Sequence, residues 1–322
     1  MTTNFILAAA LCAFFAIFTN SSTAQTSSEQ PASAAPAPEE MLDLNAARKY
    51  MLKLINRDRA TVGAPPVVLD DIASVAGQGH SDEMAVNGYV GHWALDGRKP
   101  DQRYTQAGGR DADAENVIGD LGDSGGPKFA LSSTPVFSKS RLDQDEGDLF
   151  GEKPPDDLHR QNIVNPLRTH VGIGLSLALQ GEDFRDSCSQ EFVNHYGEYS
   201  QIPQAIRRGE KFTLTGKLLK RAHLQSVDVR WEDFPKPMTA DEINKTNGYS
   251  IPDGTTADYY PDDDQHLIAV RTVDGCEEFS VDVATGRSWK PGLYYVLVWA
   301  YVNGAKDADN ISTRTFLLDS GK

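Results

Sequence analysis

The sequence predicts an α+β layer domain followed by a small all-β sandwich of Ig-like type. Three observations carry that expectation. Two amphipathic helical patterns precede a pair of alternating strands. Six or so short β-rich runs, several of them separated by Gly and Pro clusters, occupy the chain after Tyr196. An apolar leader and a Ser/Ala/Pro-rich stretch set roughly 280 residues apart as the folded part, room enough for two domains.

Ile6 to Phe18 is an unbroken apolar run, and small and polar residues follow it through Ala24. The run is too short to cross a bilayer as a helix and reads as a signal peptide, residues 1–24, cleaved after Ala24. The segment before it, Met1 to Asn4, carries no Lys or Arg, which leaves an uncleaved anchor as the alternative. Leu11 ahead of Cys12 does not suit a lipid-attachment site. Residues 25–40 hold almost no large apolar side chain, so burial cannot offset their ordering entropy and they read as a flexible tether. A secreted, extracellular or periplasmic chain without a transmembrane segment after signal removal is expected.

The net charge of −15 is unchanged by loss of the leader, which has no charged side chain. That balance argues against nucleic acid and anionic membranes as partners, since both need clustered Lys and Arg. Without Cys12 only Cys188 and Cys276 remain, too few for a disulfide framework. One bridge between them, joining the two domains, is an open alternative.

The first domain is expected over residues 41–196. Met41 to Ala60 places Met41, Leu42, Leu44, Tyr50, Met51, Leu54 and Ile55 at helical spacing, and Pro65-Pro66 ends the pattern. A second helix spans about Asp70 to Asn87, with Asp70 or Asp71 as its cap and Gly88 just past its end. Leu167 to Leu179 and Ser189 to Tyr196 alternate about a Gln180-Gly181-Glu182-Asp183 turn and read as an antiparallel pair. Helices followed by a hairpin give the α+β layer.

These same residues carry a resemblance. Gly79-His80-Ser81-Asp82-Glu83-Met84, His92-Trp93 and Asp96-Gly97-Arg98-Lys99-Pro100 with Arg103 resemble the H-S-x-x-M…H-x-x-x-D-G-x-x-P-x-x-R block of the CAP (SCP/PR-1-like) superfamily. Ala114-Glu115-Asn116-Val117 resembles its G-E-N signature. His159-Arg160-Gln161-Asn162-Ile163-Val164, then Thr169 to Gly174, resemble G-H-R-x-N-I-L…T-x-V-G-I-G, and Gln190-Glu191-Phe192 resembles the closing T-Q-x-F strand. Leu158 stands where the family has Gly, and the animal and plant disulfide pattern is missing, as suits a bacterial branch.

The resemblance implies an α-β-α sandwich with two His and two Glu around a central cleft that holds a divalent metal in some members. His92, Glu115 and His159 match those positions, and Glu152, ahead of His159, is the choice for the fourth. Imidazole with carboxylate suits Zn²⁺, whereas Mg²⁺ would prefer the carboxylates. No compact H-E-x-x-H motif exists, so the site must be assembled from distant segments.

Plainer readings stand beside these. His92-Trp93 also reads as a half-buried surface pair, Glu115-Asn116 as a hydrogen-bonded turn, and His159-Arg160 as a helix start facing Asp156 and Asp157. His80, His170 and His195 read as structural. Gly122 to Pro127 spells the nucleophile motif of chymotrypsin-like proteases around Ser124, but no β-barrel supplying His and Asp precedes it, so it reads as a Gly-rich loop. The acidic run Asp143, Asp145, Glu146, Asp148 fails the EF-hand template, whose Gly falls on Asp148 and whose Glu falls on Pro154, and reads as a solvated loop.

The second domain is expected over residues 197–322, with strands at Lys211–Leu219, Leu224–Trp231, Leu267–Val273, Glu278–Val283, Leu293–Val302 and Ser312–Leu318. Leu293 to Tyr301 is apolar on both faces and reads as a buried central strand. Tyr249 to Asp264 reads as a polar loop, and Tyr259, Tyr260 and Trp289 as surface aromatics.

The leading expectation is a non-enzymatic binder holding a divalent metal or a small or lipid-like ligand, from solution or the cell envelope, in the cleft of His92, Glu115, Glu152 and His159. The rival is a metal-assisted, peptidase-like hydrolase in which Glu115 or Glu152 acts as general base. A third is an interaction module that binds a protein or the cell wall through the β-sandwich.

Overall fold

The computed structural model describes residues 39–122, 126–262 and 267–319. The leader, nearly all of the tether, and Ser124 of the Gly-rich loop lie outside the described residues. Residues 39–322 form one compact unit.

The chain enters with β1 (Met41–Asp43), α1 (Leu44–Thr61), β2 (Val68–Leu69), α2 (Asp71–Asn87) and α3 (Pro100–Ala107). Then come β3 (Ala112–Asp120), β4 (Ala130–Leu131), β5 (Val136–Ser138), α4 (Lys139–Gly151) and α5 (Leu158–Val164), followed by β6 (His170–Gln180) and β7 (Asp183–Asn194). The first predicted helix thus starts later than expected, because Met41–Asp43 pairs with β5 as a short strand. Asp43 then caps α1, accepting the Ala46 amide at 2.8 Å. Helix α2 has the expected ends: the Asp70 side chain accepts the Ala73 amide, and Gly88 closes it at φ 71°.

A sheet of order β2-β6-β7-β3 forms the middle layer, with β6 and β7 antiparallel from His170↔Val193 to Gln180↔Asp183. Alternation sends Val171, Ile173, Leu175, Cys188 and Phe192 to one face, in a cluster with Met51, Leu54 and Ile55 of α1 and Leu142 and Leu149 of α4. Val193 packs on the other face with Ala73 and Ala76 of α2 and Tyr104 of α3. The glycines of Val171-Gly172-Ile173-Gly174 explain how α2 comes so close. A Cβ on Gly174 would sit 2.2 Å from the Gly77 carbonyl, and one on Gly172 2.1 Å from the Ala73 backbone. Helices therefore cover both faces of the sheet.

The acidic run is not a solvated loop. It lies on α4, where Asp145 and Glu146 turn inward and are buried. Glu146 accepts the Gln190 side-chain amide at 2.6 Å. Cys188 and Cys276 are both free thiols, so the bridge between them is not formed.

The remaining elements are β8 (Gly197–Tyr199), β9 (Ala205–Arg207), β10 (Lys211–Leu218), β11 (Ala222–Glu232), α6 (Ala240–Ile243), β12 (Thr255–Tyr259), β13 (Ala269–Val273), β14 (Cys276–Ala284), β15 (Gly292–Val302) and β16 (Asp309–Asp319). They make two sheets, β13-β14-β10-β8 and β12-β11-β15-β16-β9, that share one apolar cluster including Leu214, Phe279, Val281, Val229, Val296 and Phe316. Strand β15 is central, and its second face, Leu293, Tyr295 and Leu297, is covered in part by Ile251. Tyr259 and Trp289 are not surface aromatics but belong to the shared core, Trp289 stacked on Tyr294 at 4.9 Å. The stretch read as a polar loop contains strand β12.

Residues 233–251, the greater part of the connection from β11 to β12, cross the first half of the unit as a strap. Met238 donates its amide to Leu95, and Val90 donates to the Asn244 side chain at 2.9 Å. Ile243 is fully buried with Met84, Tyr89 and Val117. At Gly97, whose φ is +84°, the two backbones touch: a Cβ there would lie 2.2 Å from the Lys236 carbonyl oxygen.

Candidate functional site

The four residues singled out by the sequence come together. They line one cavity of about 710 Å³, which residues 247–251 of the strap help to wall. His92 comes from the loop after α2, Glu115 from β3, Glu152 from the end of α4, and His159 from α5.

Glu115 sits at the bottom, its side chain inaccessible to solvent. One carboxylate oxygen accepts the His92 Nδ1 proton at 2.9 Å. The other accepts from the Arg103 guanidinium at 2.5 Å and from Ser189 Oγ at 3.1 Å. Burial pushes this acid up, but Arg103, His80 and His92 outweigh it and hold the carboxyl well below the usual range. Its neighbour Glu191 is moved the other way, well above the usual carboxylate range, by burial and by the Glu115 charge. Glu115 is thus a fixed anion that orients His92 rather than a free base.

Arg103 also donates to the carbonyls of His92 and Arg98, which fixes the loop carrying His92. His80 donates from Nε2 to Gly91 at 2.7 Å, and burial, aided by Arg103, lowers its pKa to about 4. It supports the site as a neutral structural residue, as its helix position suggested. His170 and His195 pack on each other at 5.2 Å, and neither lines the cavity.

The second pair has a similar design in a wetter setting. Glu152 accepts His159 Nδ1 at 2.5 Å, and its other oxygen takes the His159 amide at 3.0 Å. One carboxylate therefore satisfies an orphan amide at the start of α5 and aims the ring carried there. Asn116, adjacent to Glu115 and pointing to the opposite face, donates to the His159 carbonyl and accepts from Asn162. The rings of His92 and His159 lie 6.1 Å apart, and neither Nε2 has a protein partner among the described residues.

A divalent metal fits this arrangement poorly. Both tetrad carboxylates are engaged by Nδ1 protons, which leaves two ring nitrogens where a catalytic zinc takes three protein ligands. Among the described residues no group of three or more His, Cys, Asp or Glu side chains is disposed to hold a metal ion.

Tyr249, Asp101 and Asp113 were not found by sequence reasoning. The Tyr249 ring packs 4.9 Å from that of His92, and its hydroxyl accepts the Glu115 amide at 3.1 Å. That amide points off the open edge of β3, away from β7, so Tyr249 satisfies a group the sheet leaves unpaired. Asp101 and Asp113 line the same cavity. Burial raises the Asp101 pKa to about 7 and pushes Asp113 well above its ordinary value. Only Arg103 had a signal, as the last position of the quoted block.

Residues 52–192 match the family model described as CAP, the cysteine-rich secretory protein family. Among solved structures, an extracellular protein containing a SCP domain from Bacillus anthracis is 19% identical, with a TM-score of 0.33, covering 47% of this chain and 41% of that one. The chain therefore spans less than half of that protein. The structure of MpPR-1i is 16% identical with a TM-score of 0.31, covering 47% of this chain and 89% of its own. No curated protein matches the sequence. Residues 52–192, whose signature positions gather around one cleft, thus match the CAP family as a segment of this chain.

Proposed function

We propose that this protein is an exported, non-enzymatic binder that holds a small polar ligand in the cleft of His92, Glu115, Glu152 and His159. The observation that supports this most is the pairing of each imidazole with a carboxylate. Each Nδ1 is taken, and each ring presents its other nitrogen to one cavity. Two rings fixed in this way meet a ligand at little entropic cost. The lining is mainly carboxylate, amide and hydroxyl, which suits a polar ligand better than a lipid chain. The signal peptide ending at Ala24, the domain division after Tyr196 and an Ig-like second domain are parts of the same reading.

Hydrolysis remains a second reading, favoured by the Glu152–His159 pair. A carboxylate on Nδ1 leaves Nε2 to take a proton from water, and side-chain exposures of 28% for His159 and 24% for Glu152 let water reach the pair. Glu115, locked by Arg103, is not available for that task.

The test is a screen of small polar compounds against the full chain, followed by the ring resonances of His92 and His159. A compound that shifts both rings in the wild type, and loses its affinity in His92→Ala/His159→Ala, supports the binder. Turnover of a bound compound that disappears in Glu152→Gln would favour the hydrolase instead.

A further inference from the structure

Resting on that reading of the cleft, we infer that its ligand carries an ammonium group, and that Asp101, Asp113 and Tyr249 form the subsite that receives it.

The cavity is one-sided in charge. Five carboxylates line it, from Asp101, Asp113, Glu115, Glu152 and Asp156, and no Lys or Arg is among its lining residues. The oxygens of Glu115 and Glu152 are already bonded to the two histidines and their neighbours. Those of Asp101 and Asp113 are different. Asp101 is 1% exposed and its Oδ2 is buried without a hydrogen-bond partner. Both carboxylate oxygens of Asp113 are also buried and unpartnered. Buried acceptors in this condition are uncommon in a native fold, because each has lost water without gaining a donor.

The nearby cations do not hydrogen-bond the two acids, because each is engaged elsewhere. Lys99 donates to Glu232 at 2.6 Å and to the Ser250 carbonyl at 3.0 Å. Arg103 holds Glu115 and the His92 loop. Arg168 donates to Asn194 and Asn162. None has a hydrogen bond to Asp101 or Asp113, although Lys99 and Arg103 attract Asp101, and Arg103 and Arg168 attract Asp113, so a ligand that brings N–H donors would satisfy oxygens that these side chains leave open.

An ammonium group supplies three N–H donors on one compact charge, against three unpartnered oxygens. The Tyr249 ring stands at the same cavity, half-buried against His92, and an aromatic face adds attraction for a cation. A bare divalent ion is the poorer occupant, since the described residues bring no third His, Cys, Asp or Glu ligand to the pair. The cavity of about 710 Å³, which His159 also lines, leaves room for the rest of a small organic amine.

The experiment titrates the full chain with putrescine by calorimetry, beside 1,4-butanediol, a neutral analogue of the same length, and Mg²⁺. Saturable putrescine binding is expected, with butanediol at least about tenfold weaker. The Asp101→Asn/Asp113→Asn variant should lose putrescine binding by about tenfold or more. These substitutions keep the side-chain shapes, and the melting temperature checks that the variant is folded. Tyr249→Leu, which leaves both acids in place, should weaken putrescine as well. Putrescine binding that is absent, unchanged in the Asn variant, matched by butanediol or displaced stoichiometrically by Mg²⁺ would overturn the assignment. If a neutral or anionic compound shifts the His92 and His159 rings while putrescine does not, the ammonium subsite falls and the cleft reading stands. If nothing shifts those rings, both fall.

Discussion

Tyr249 lies with its ring 4.9 Å from that of His92, although the two residues come from opposite halves of the folded unit. The strap that carries Tyr249 is fastened by Ile243, which is fully buried among Met84, Tyr89 and Val117. One wall of the cleft is therefore built by chain outside the residues 52–192 that match the CAP family model.

Ile243→Ala should destabilise the protein by about 2–5 kcal/mol, the usual range for emptying such a site. It should also loosen Tyr249. Hydrogen exchange at the Glu115 amide, whose acceptor is the Tyr249 hydroxyl, should speed up more than exchange within β6 and β7. Uniform acceleration across the sheet would instead mean that the strap has no local role.

Removing Arg103 should be among the most damaging single changes. Arg103→Met leaves the Glu115 charge buried without its counter-ion, an effect of about 3–5 kcal/mol. Adding Glu115→Gln should recover part of that loss, because the orphaned charge goes with it. A denaturant double-mutant cycle reads the coupling, and strictly additive losses would show that the pair does not act as a unit.

Two glycines, Gly174 on β6 and Gly147 on α4, predict opposite signs. Gly174→Ala drives a methyl into the α2 backbone at Gly77 and should cost about 1–3 kcal/mol or more. Gly147→Ala, on α4 with open space around the new methyl, should stabilise by about 0.5–1 kcal/mol. Melting temperatures moving in the same direction would refute the packing of α2 against the sheet.

Stability should fall as pH rises through neutrality. Burial lifts the Glu146 pKa from 4.5 to about 8, against a smaller opposing effect of the Gln190 hydrogen bond. Between those values the folded protein holds a proton that the unfolded chain has released, so each pH unit disfavours folding by up to about 1.4 kcal/mol. Asp145, raised to about 7 mainly by burial, acts in the same sense. Glu146→Gln should flatten the profile from about pH 5 to about pH 8, as read from urea midpoints. A wild-type protein equally stable at both ends would contradict a protonated Glu146.

Much of the first half was legible because local rules decide it. Asp70 and Gly88 mark the ends of α2, and Val171-Gly172-Ile173-Gly174 marks a strand on which a helix rests. His92, Glu115 and His159 emerged from family resemblance, since nothing in their spacing brings them together. The strap could not be read. Ile243 and Tyr249 are two apolar or aromatic side chains in a polar stretch, and their places depend on surfaces far away in sequence. Asp145 and Glu146 misled for a related reason: a run of acids reads as solvated, yet helical phase turns these two inward. Tyr259 and Trp289 lie beside polar turns and are buried only by the opposite sheet.

The most direct measurement of the central claim follows ring ¹⁵N resonances of His92, His159, His170 and His195 while a polar ligand from the screen is added to the full chain. A ligand held by the paired imidazoles moves the Nε2 signals of His92 and His159 together and leaves His170 and His195 unchanged. A ligand that binds saturably without moving either cleft ring would contradict the account and place recognition elsewhere on the molecule.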